Sequence, residues 1–207
     1  MHIPDGVLSG AVAASTGALG VAGVFMGLRK MDYEHIARVG LLSAVFFVGS
    51  LIHVPIPPAS AHLLLVGLIG ILLGWAAFPA LLVALLLQAV LFGFGGLTSL
   101  GANVVIMASP AVACHGLFAS RIARAASPRI VFALAFVAGA TGIMLSCMIA
   151  GAALFLSGRE FLGAVGAIVI GHVPVMLIEG FVTGSAVAFV HNVRPELLEA
   201  PLAGAHR

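Results

Sequence analysis

Seven stretches of this chain run for fourteen to thirty residues with hardly a charge among them, at roughly 11–28, 39–52, 61–78, 79–94, 104–119, 130–156 and 161–190. A run of that kind finds a stable home inside lipid, where every backbone polar group is satisfied within its own helix. Hydrophobic residues make up 62% of the 207 positions and charged residues 8%, which excludes a water-soluble domain of any size. The expected architecture is therefore all-α, a polytopic membrane bundle of about seven transmembrane helices in a single domain over 1–207. Residues 1–10 would form an external N-terminal segment. The third and fourth runs are short and meet near Ala77-Phe78-Pro79, so they are either full spans or a re-entrant hairpin. Both choices leave the parity of the remaining spans unchanged.

Positive charge sets the orientation, because cytoplasmic connections collect Lys and Arg. Arg29, Lys30 and Arg38 flank the first connection, Arg121, Arg124 and Arg129 the fifth, and Arg194 and Arg207 lie in the tail, against Arg159 alone on the other side. That places the N-terminus outside and the C-terminus inside. No basic stripe with interleaved aromatics points to nucleic acid. Cys114 and Cys147 lie within apolar runs, where a soft buried side chain is the default. Gly17, Gly20, Gly23 and Gly27 in the first span, with Gly139 and Gly142 in the sixth, let helix backbones approach closely. An ATP-hydrolysing unit would have to be a separate chain.

The first six residues, Met1-His2-Ile3-Pro4-Asp5-Gly6, put a histidine beside a free α-amine. The amine nitrogen, the deprotonated amide nitrogen of His2 and its imidazole Nδ1 can close adjoining five- and six-membered rings around one divalent ion. Nitrogen donors in a plane suit Ni2+, Cu2+ or low-spin Co2+, rather than tetrahedral zinc or oxygen-seeking magnesium and calcium. The bulky second residue predicts that Met1 is retained. With no Lys or Arg ahead of the first apolar run, no leader is expected either. A fourth donor has to come from elsewhere. Two candidates lie in the connection before the third span, on the same face as the N-terminus: His53, which ends one helix, and His62, which opens another. Prolines stiffen that connection.

The stretch from Gln88 to Asn103 emerges on the same face and is rich in glycine. It lacks the Gly-Lys-Ser/Thr ending of a phosphate loop, so it is read as a compact turn packed against the terminal hexapeptide. Thr98 and Asn103, together with Ser60 of the preceding connection, are candidate hydrogen-bond partners for a metal-bound histidine.

Three separated motifs, Met1 to Gly6, Gly95-Gly-Leu-Thr-Ser-Leu-Gly-Ala-Asn103 and Pro174-Val-Met-Leu-Ile-Glu-Gly-Phe-Val-Thr183, together resemble the CbiM/NikM family. Its members are the substrate-specific membrane components of energy-coupling-factor-type cobalt and nickel importers. The resemblance spans essentially the whole chain. It implies one ion bound through the terminal amine, the amide and side-chain nitrogens of the second residue, and an imidazole opening a following helix, which map here to Met1, His2 and His62. His53 does not match the family's ligand position, but lies near enough to act as a transient ligand for an incoming ion. The segment Ile56-Pro57-Pro58-Ala59 is poorer in glycine than its counterpart in many relatives. The resemblance further implies Co2+ or Ni2+ as transported substrate and a multi-pass place in the lipid of a bacterial cytoplasmic (inner) membrane. The implied partners are a transmembrane coupling subunit, cytoplasmic ATPase subunits and a small accessory membrane subunit.

In the last span, His172 and Glu179 are seven residues apart and share a helix face. An ionisable group within a span is costly and usually faces the bundle interior. The pair is either a cation path or hydrogen-bonded switch, or a satisfied polar lock between helices. Four function classes compete. A metal-capturing importer component accounts for the terminus. A self-sufficient channel or proton-coupled carrier is disfavoured by the scarcity of intramembrane carboxylates. An intramembrane protease lacks a His-Glu-x-x-His motif or paired aspartates, so no enzymatic activity is expected. A structural scaffold leaves the terminus unexplained. Intrinsic affinity ranks nickel above cobalt at nitrogen sites, whereas overall likeness to the cobalt members places cobalt first.

Overall fold

The computed structural model describes residues 2–31, 36–56 and 59–199, without the side chains of 53–56 and 59–61, Arg159, Leu162, Ala164 and Glu199. Helix α1 spans Gly10–Lys30, begins under the Ser9 hydroxyl, which accepts from the Val12 amide, and ends on the basic pair Arg29 and Lys30. Then come α2 (Ile36–Gly49), strands β1 (His53–Ile56) and β2 (Ala59–His62), α3 (Val66–Leu73) and α4 (Ala77–Phe92). Helix α5 covers Leu100–Ala123 and contains a π-type turn at His115–Ala119. Helices α6 (Pro128–Ser157), α7 (Leu162–Val193) and the short α8 (Glu196–Glu199) complete the chain. Large apolar side chains such as Val21, Ile170, Leu177 and Phe181 stand exposed on α1 and α7, as expected of faces turned to lipid. The molecule is a multi-pass membrane protein.

By length and apolarity alone, Val66–Phe92 counts as a single stretch of 27 residues. The contacts show that the chain reverses inside it. Gly20 of α1 faces Gly101 at the start of α5, whereas Gly27, two turns further along, faces Trp75 and Pro79. The starts of α4 and α5 therefore lie at opposite ends of the bundle. The start of α3 and the end of α4 both lie at the end of α2, where Leu65 meets Gly49 and buried Gln88 donates to Ser50. Helix α3 thus runs away from that end and α4 returns to it, turning at Gly74–Ala76, where Gly74 has φ +53°. The turn falls just ahead of the Ala77-Phe78-Pro79 junction. Among the described residues seven helices, α1 to α7, thus form the bundle, with its first and last residues at opposite ends.

One end, the mouth, carries residues 2–9, the 93–99 loop and the Ser9–Ser157 contact; the far end carries Arg29, Lys30, Arg121 and Arg194. Lys30 lies 4.6 Å over the Trp75 ring. Seven of the eight residues of α3 are buried. No side chain separates it from its neighbours, because Gly67 abuts Gly139 and Gly70 abuts the Ala111 carbonyl. The His115 ring, at the π-type turn, reaches the Gly70 and Ile71 carbonyls. Helices α2 and α3 measure only about 21 and 12 Å at 1.5 Å per residue, well short of a bilayer core of about 30 Å. The deficit lies on the mouth side, since the start of α3 meets Glu179 near the middle of α7. A recess results, and non-helical backbone fills it. The connection read from sequence as a stiffened loop is an antiparallel hairpin with His53 opposite His62 and Pro55 opposite Ser60.

Candidate metal site

The N-terminal segment enters this recess and is fixed there by its backbone. Asn103, buried near the start of α5, grips Ile3 from both sides: the Ile3 amide donates to Asn103 Oδ1 at 2.9 Å, and Asn103 Nδ2 donates to the Ile3 carbonyl at 3.1 Å. The Ser99 hydroxyl donates to the same carbonyl at 2.7 Å. Two residues on, Asp5 Oδ1 accepts from the Thr98 amide and hydroxyl and from the Ser99 amide. These amides lie just ahead of α5, on the Ser99 cap and the residue before it, at a helix end that attracts negative charge. Glycine is required opposite: a Cβ on Gly96 would fall 2.0 Å from Asp5 Cγ, and Gly95 has φ +74° with Asn103 Nδ2 only 2.8 Å from the Cβ position.

The Thr98 hydroxyl, aided by Ser99 and the backbone, holds the Asp5 carboxyl below the usual carboxylate range. A lowered folded-state value contributes stability that is present above the unfolded value and is lost as pH falls through the folded one. The docked segment should therefore keep constant hydrogen-exchange protection at the Ile3 amide from neutral pH to about 5. Protection should fail only below the ordinary carboxylate range, and Asp5→Asn should cut it several-fold throughout. Loss of protection between pH 7 and 5 would show that Asp5 does not hold the segment.

The clamp on Ile3 sets His2 at the bottom of the recess. Its ring and that of His62 are nearly parallel, at 15°, with centroids 4.8 Å apart. Two imidazoles that each give one nitrogen to adjacent corners of a single coordination plane have centroids about 4.5 Å apart. His62 ends β2 and is buried. Its Nδ1 lies 3.3 Å from the Leu63 carbonyl, which can only accept, an arrangement that suits the tautomer with its proton on Nδ1 and leaves Nε2 the lone pair for a metal. Phe94 lies 6.0 Å from His2 on its other side, followed by Phe92 and Phe47 in a ladder of rings reaching α2. Aromatic surface thus flanks the His2 ring, whose two nitrogens are buried.

Met1 lies outside the described residues, as do the side chains of Ser60 and His53. Thr98 and Asn103 direct their hydrogen bonds to Asp5 and Ile3, and so position the segment that carries His2. His172 Nδ1 pairs with the Ile168 carbonyl one turn earlier in its own helix, at 2.7 Å. Glu179, fully buried, accepts from the Leu64 and Leu65 amides at the head of α3, two residues beyond His62. The sequence separates the two sides of that bond by 115 positions and offered no sign of it. Asp5 and Ser99 were also missed as anchors, although a carboxylate close to a helix start is a usable signal. Among the described residues no group of three or more His, Cys, Asp or Glu side chains gathers to hold a metal.

Residues 2–197 match the family model described as CbiM, cobalt uptake substrate-specific transmembrane region. The fused nickel transport protein NikMN of Rhodobacter capsulatus is 36% identical over 96% of this chain, which spans 64% of that protein. The cobalt transport protein CbiM of Sorangium cellulosum is 34% identical over 96% of this chain and 95% of its own. A crystal structure of a transition metal transporter superposes with a TM-score of 0.80 at 27% identity, covering 93% of both chains. Fold, motifs and relatives agree, and the chain belongs to the CbiM/NikM family of cobalt and nickel uptake transmembrane proteins.

Proposed function

We propose that this chain is the metal-capturing component of an ATP-driven energy-coupling-factor-type importer of Co2+, with Ni2+ as the alternative cargo. The observation that carries this reading is the near-parallel pair of His2 and His62 in a buried recess, with the His2 segment clamped on the residue that follows it. The proposed ligands are the Met1 amine, the His2 amide nitrogen and imidazole, and His62, with His53 as a transient ligand for an incoming ion. Residues 1–10 act as the binding segment of a single 1–207 domain. Four nitrogens in one plane suit both metals, and the intrinsic order favours nickel. We rank Co2+ first on likeness to the cobalt members, a ranking supported by a family model described for cobalt uptake.

Transport energy is assigned to cytoplasmic ATPase subunits acting through a transmembrane coupling subunit in the bacterial inner membrane. A small accessory membrane subunit is the further partner, in keeping with relatives named as fused NikMN and LarMN proteins. A proton-driven carrier is disfavoured because Glu179 already serves two backbone amides.

The test is calorimetric titration of the purified native-start protein with Co2+ and Ni2+ in parallel. One ion per chain should bind, with release of protons, because amide and imidazole nitrogens must be deprotonated to ligate. Binding should weaken as pH falls through the imidazole and amine range, about 8 to 6. No binding of either metal, or binding without proton release, would overturn the four-nitrogen site.

A further inference from the structure

Among the described residues no cation lies within ion-pair distance of Glu179. Among the described residues the ion pair found is Arg194–Glu196 at the far end, and the partners of the fully buried Glu179 carboxylate are main-chain N–H groups. Oε1 accepts from Leu64 and from Leu65 (2.9 Å), and Oε2 from Leu65 at 3.0 Å. These amides would otherwise be orphan donors at the buried head of α3. Leu65 itself sits at φ +50°, ψ +25°, the single described non-glycine residue with positive φ. A branched apolar side chain avoids that conformation unless its surroundings impose it, and such residues gather at functional sites. The platform imposing it is stiff: α7 lies flush on α6 at this level, with the Glu179 carbonyl against Gly139 and Gly180 against the Phe136 carbonyl. His62 is two residues from the first of these amides.

We propose that Glu179 is the positioning residue of the metal site. Its carboxylate holds Leu64 and Leu65 in the turn that aims His62 at His2, so a displacement of α7 relative to α3 slackens the His62 corner and frees the ion. This rests on the metal-binding reading above and extends it, because it ties the site to the helix that continues to the far end of the bundle. Helix α7 is then the element through which a partner at that end reaches an ion held near the mouth.

The experiment measures dissociation of Co2+ and Ni2+ into excess chelator, together with the visible spectrum of the bound ion, in full-length wild type, His2→Ala, Glu179→Gln, Glu179→Gln with Leu65→Gly, His62→Ala, and His62→Ala with Glu179→Gln. The expected result is about tenfold faster release from Glu179→Gln with an altered spectrum. Leu65→Gly should recover most of the loss, because glycine adopts the left-handed turn without support. In the His62→Ala background Glu179→Gln should add nothing. If Glu179→Gln fails to fold, hydrogen exchange on the wild type decides: the Leu64 and Leu65 amides should gain protection when metal is added.

A folded Glu179→Gln protein with wild-type release and spectrum overturns the proposal. So do a loss that Leu65→Gly does not rescue, an effect that persists without His62, and unchanged Leu64 and Leu65 exchange on metal addition. If wild type holds no ion, or His2→Ala binds like wild type, the metal-binding reading falls and this assignment with it. Failure of the Glu179 variants beside a binding wild type and a dead His2→Ala sinks this assignment alone.

Discussion

Replacing His2 by alanine should lower affinity for Co2+ and Ni2+ by about a thousandfold or more, the largest effect of any single substitution in this chain. The side chain contributes one donor directly and closes the six-membered ring that holds the neighbouring amide nitrogen on the ion. Structural four-ligand Zn2+ sites have overall binding free energies of about 10–16 kcal/mol, and on that scale losing a chelate ring removes several kcal/mol at roughly 1.4 per decade. Fold should survive, because the segment is anchored by Ile3 and Asp5 and not by the His2 ring. A protein with one extra residue ahead of Met1 separates the two halves of the chelate. It keeps His2, Ile3 and Asp5 in place but moves the α-amine away, and it should bind as poorly as His2→Ala. Melting temperature and helicity of both variants without metal should match wild type. Retained affinity in His2→Ala removes His2 from the ligand set, whereas retained affinity in the extended protein alone removes the Met1 amine and keeps the two imidazoles.

The parts of this molecule that sequence makes legible are those set by solvent. Apolar runs and Lys and Arg placement give seven helices, because lipid imposes the same demand on each run independently of its neighbours. Where the outcome depends on what lies alongside, the signal fades. The turn at Gly74–Ala76 sits in uniformly apolar sequence with no Pro-Gly or Asn-Gly mark, and depends on packing of the α3 glycines against α5 and α6. The hairpin at 53–62 was hidden by Pro55, Pro57 and Pro58, which argue against a ladder. A two-stranded hairpin consists entirely of edge strands and tolerates a proline that lacks its donor. Of the candidate site, the terminal chelate and His62 were visible as residue types suited to metal. The carboxylate under His62 was not, because a buried group bonded to the main chain leaves no complementary side chain to find. Glu179 looked from sequence like half of a pair with His172, a helix-face neighbour, although it is bonded to the head of another helix.

Substituting His62 by alanine should weaken binding by about a hundredfold, while His53→Ala should change equilibrium affinity by no more than about threefold. The two residues share one rung of the hairpin, so proximity of backbone does not distinguish them. For His62 the prediction rests on its support. His62 is buried against the His2 ring, its Nδ1 is engaged by the Leu63 carbonyl, and the turn that follows is fastened to Glu179. A ligand held in its productive rotamer loses little entropy on binding and so contributes most of its bond strength. His53 has its part before the ion settles: its loss should slow association and dissociation several-fold alike and leave affinity nearly unchanged, since a group that helps only along the path lowers the barrier equally in both directions. Stopped-flow mixing of each variant with Co2+, read beside equilibrium titration, checks this. An equal loss of affinity in both variants would move the fourth corner to a shared His53–His62 rung, and a larger loss in His53→Ala would place it at the end of α2 rather than at the start of α3.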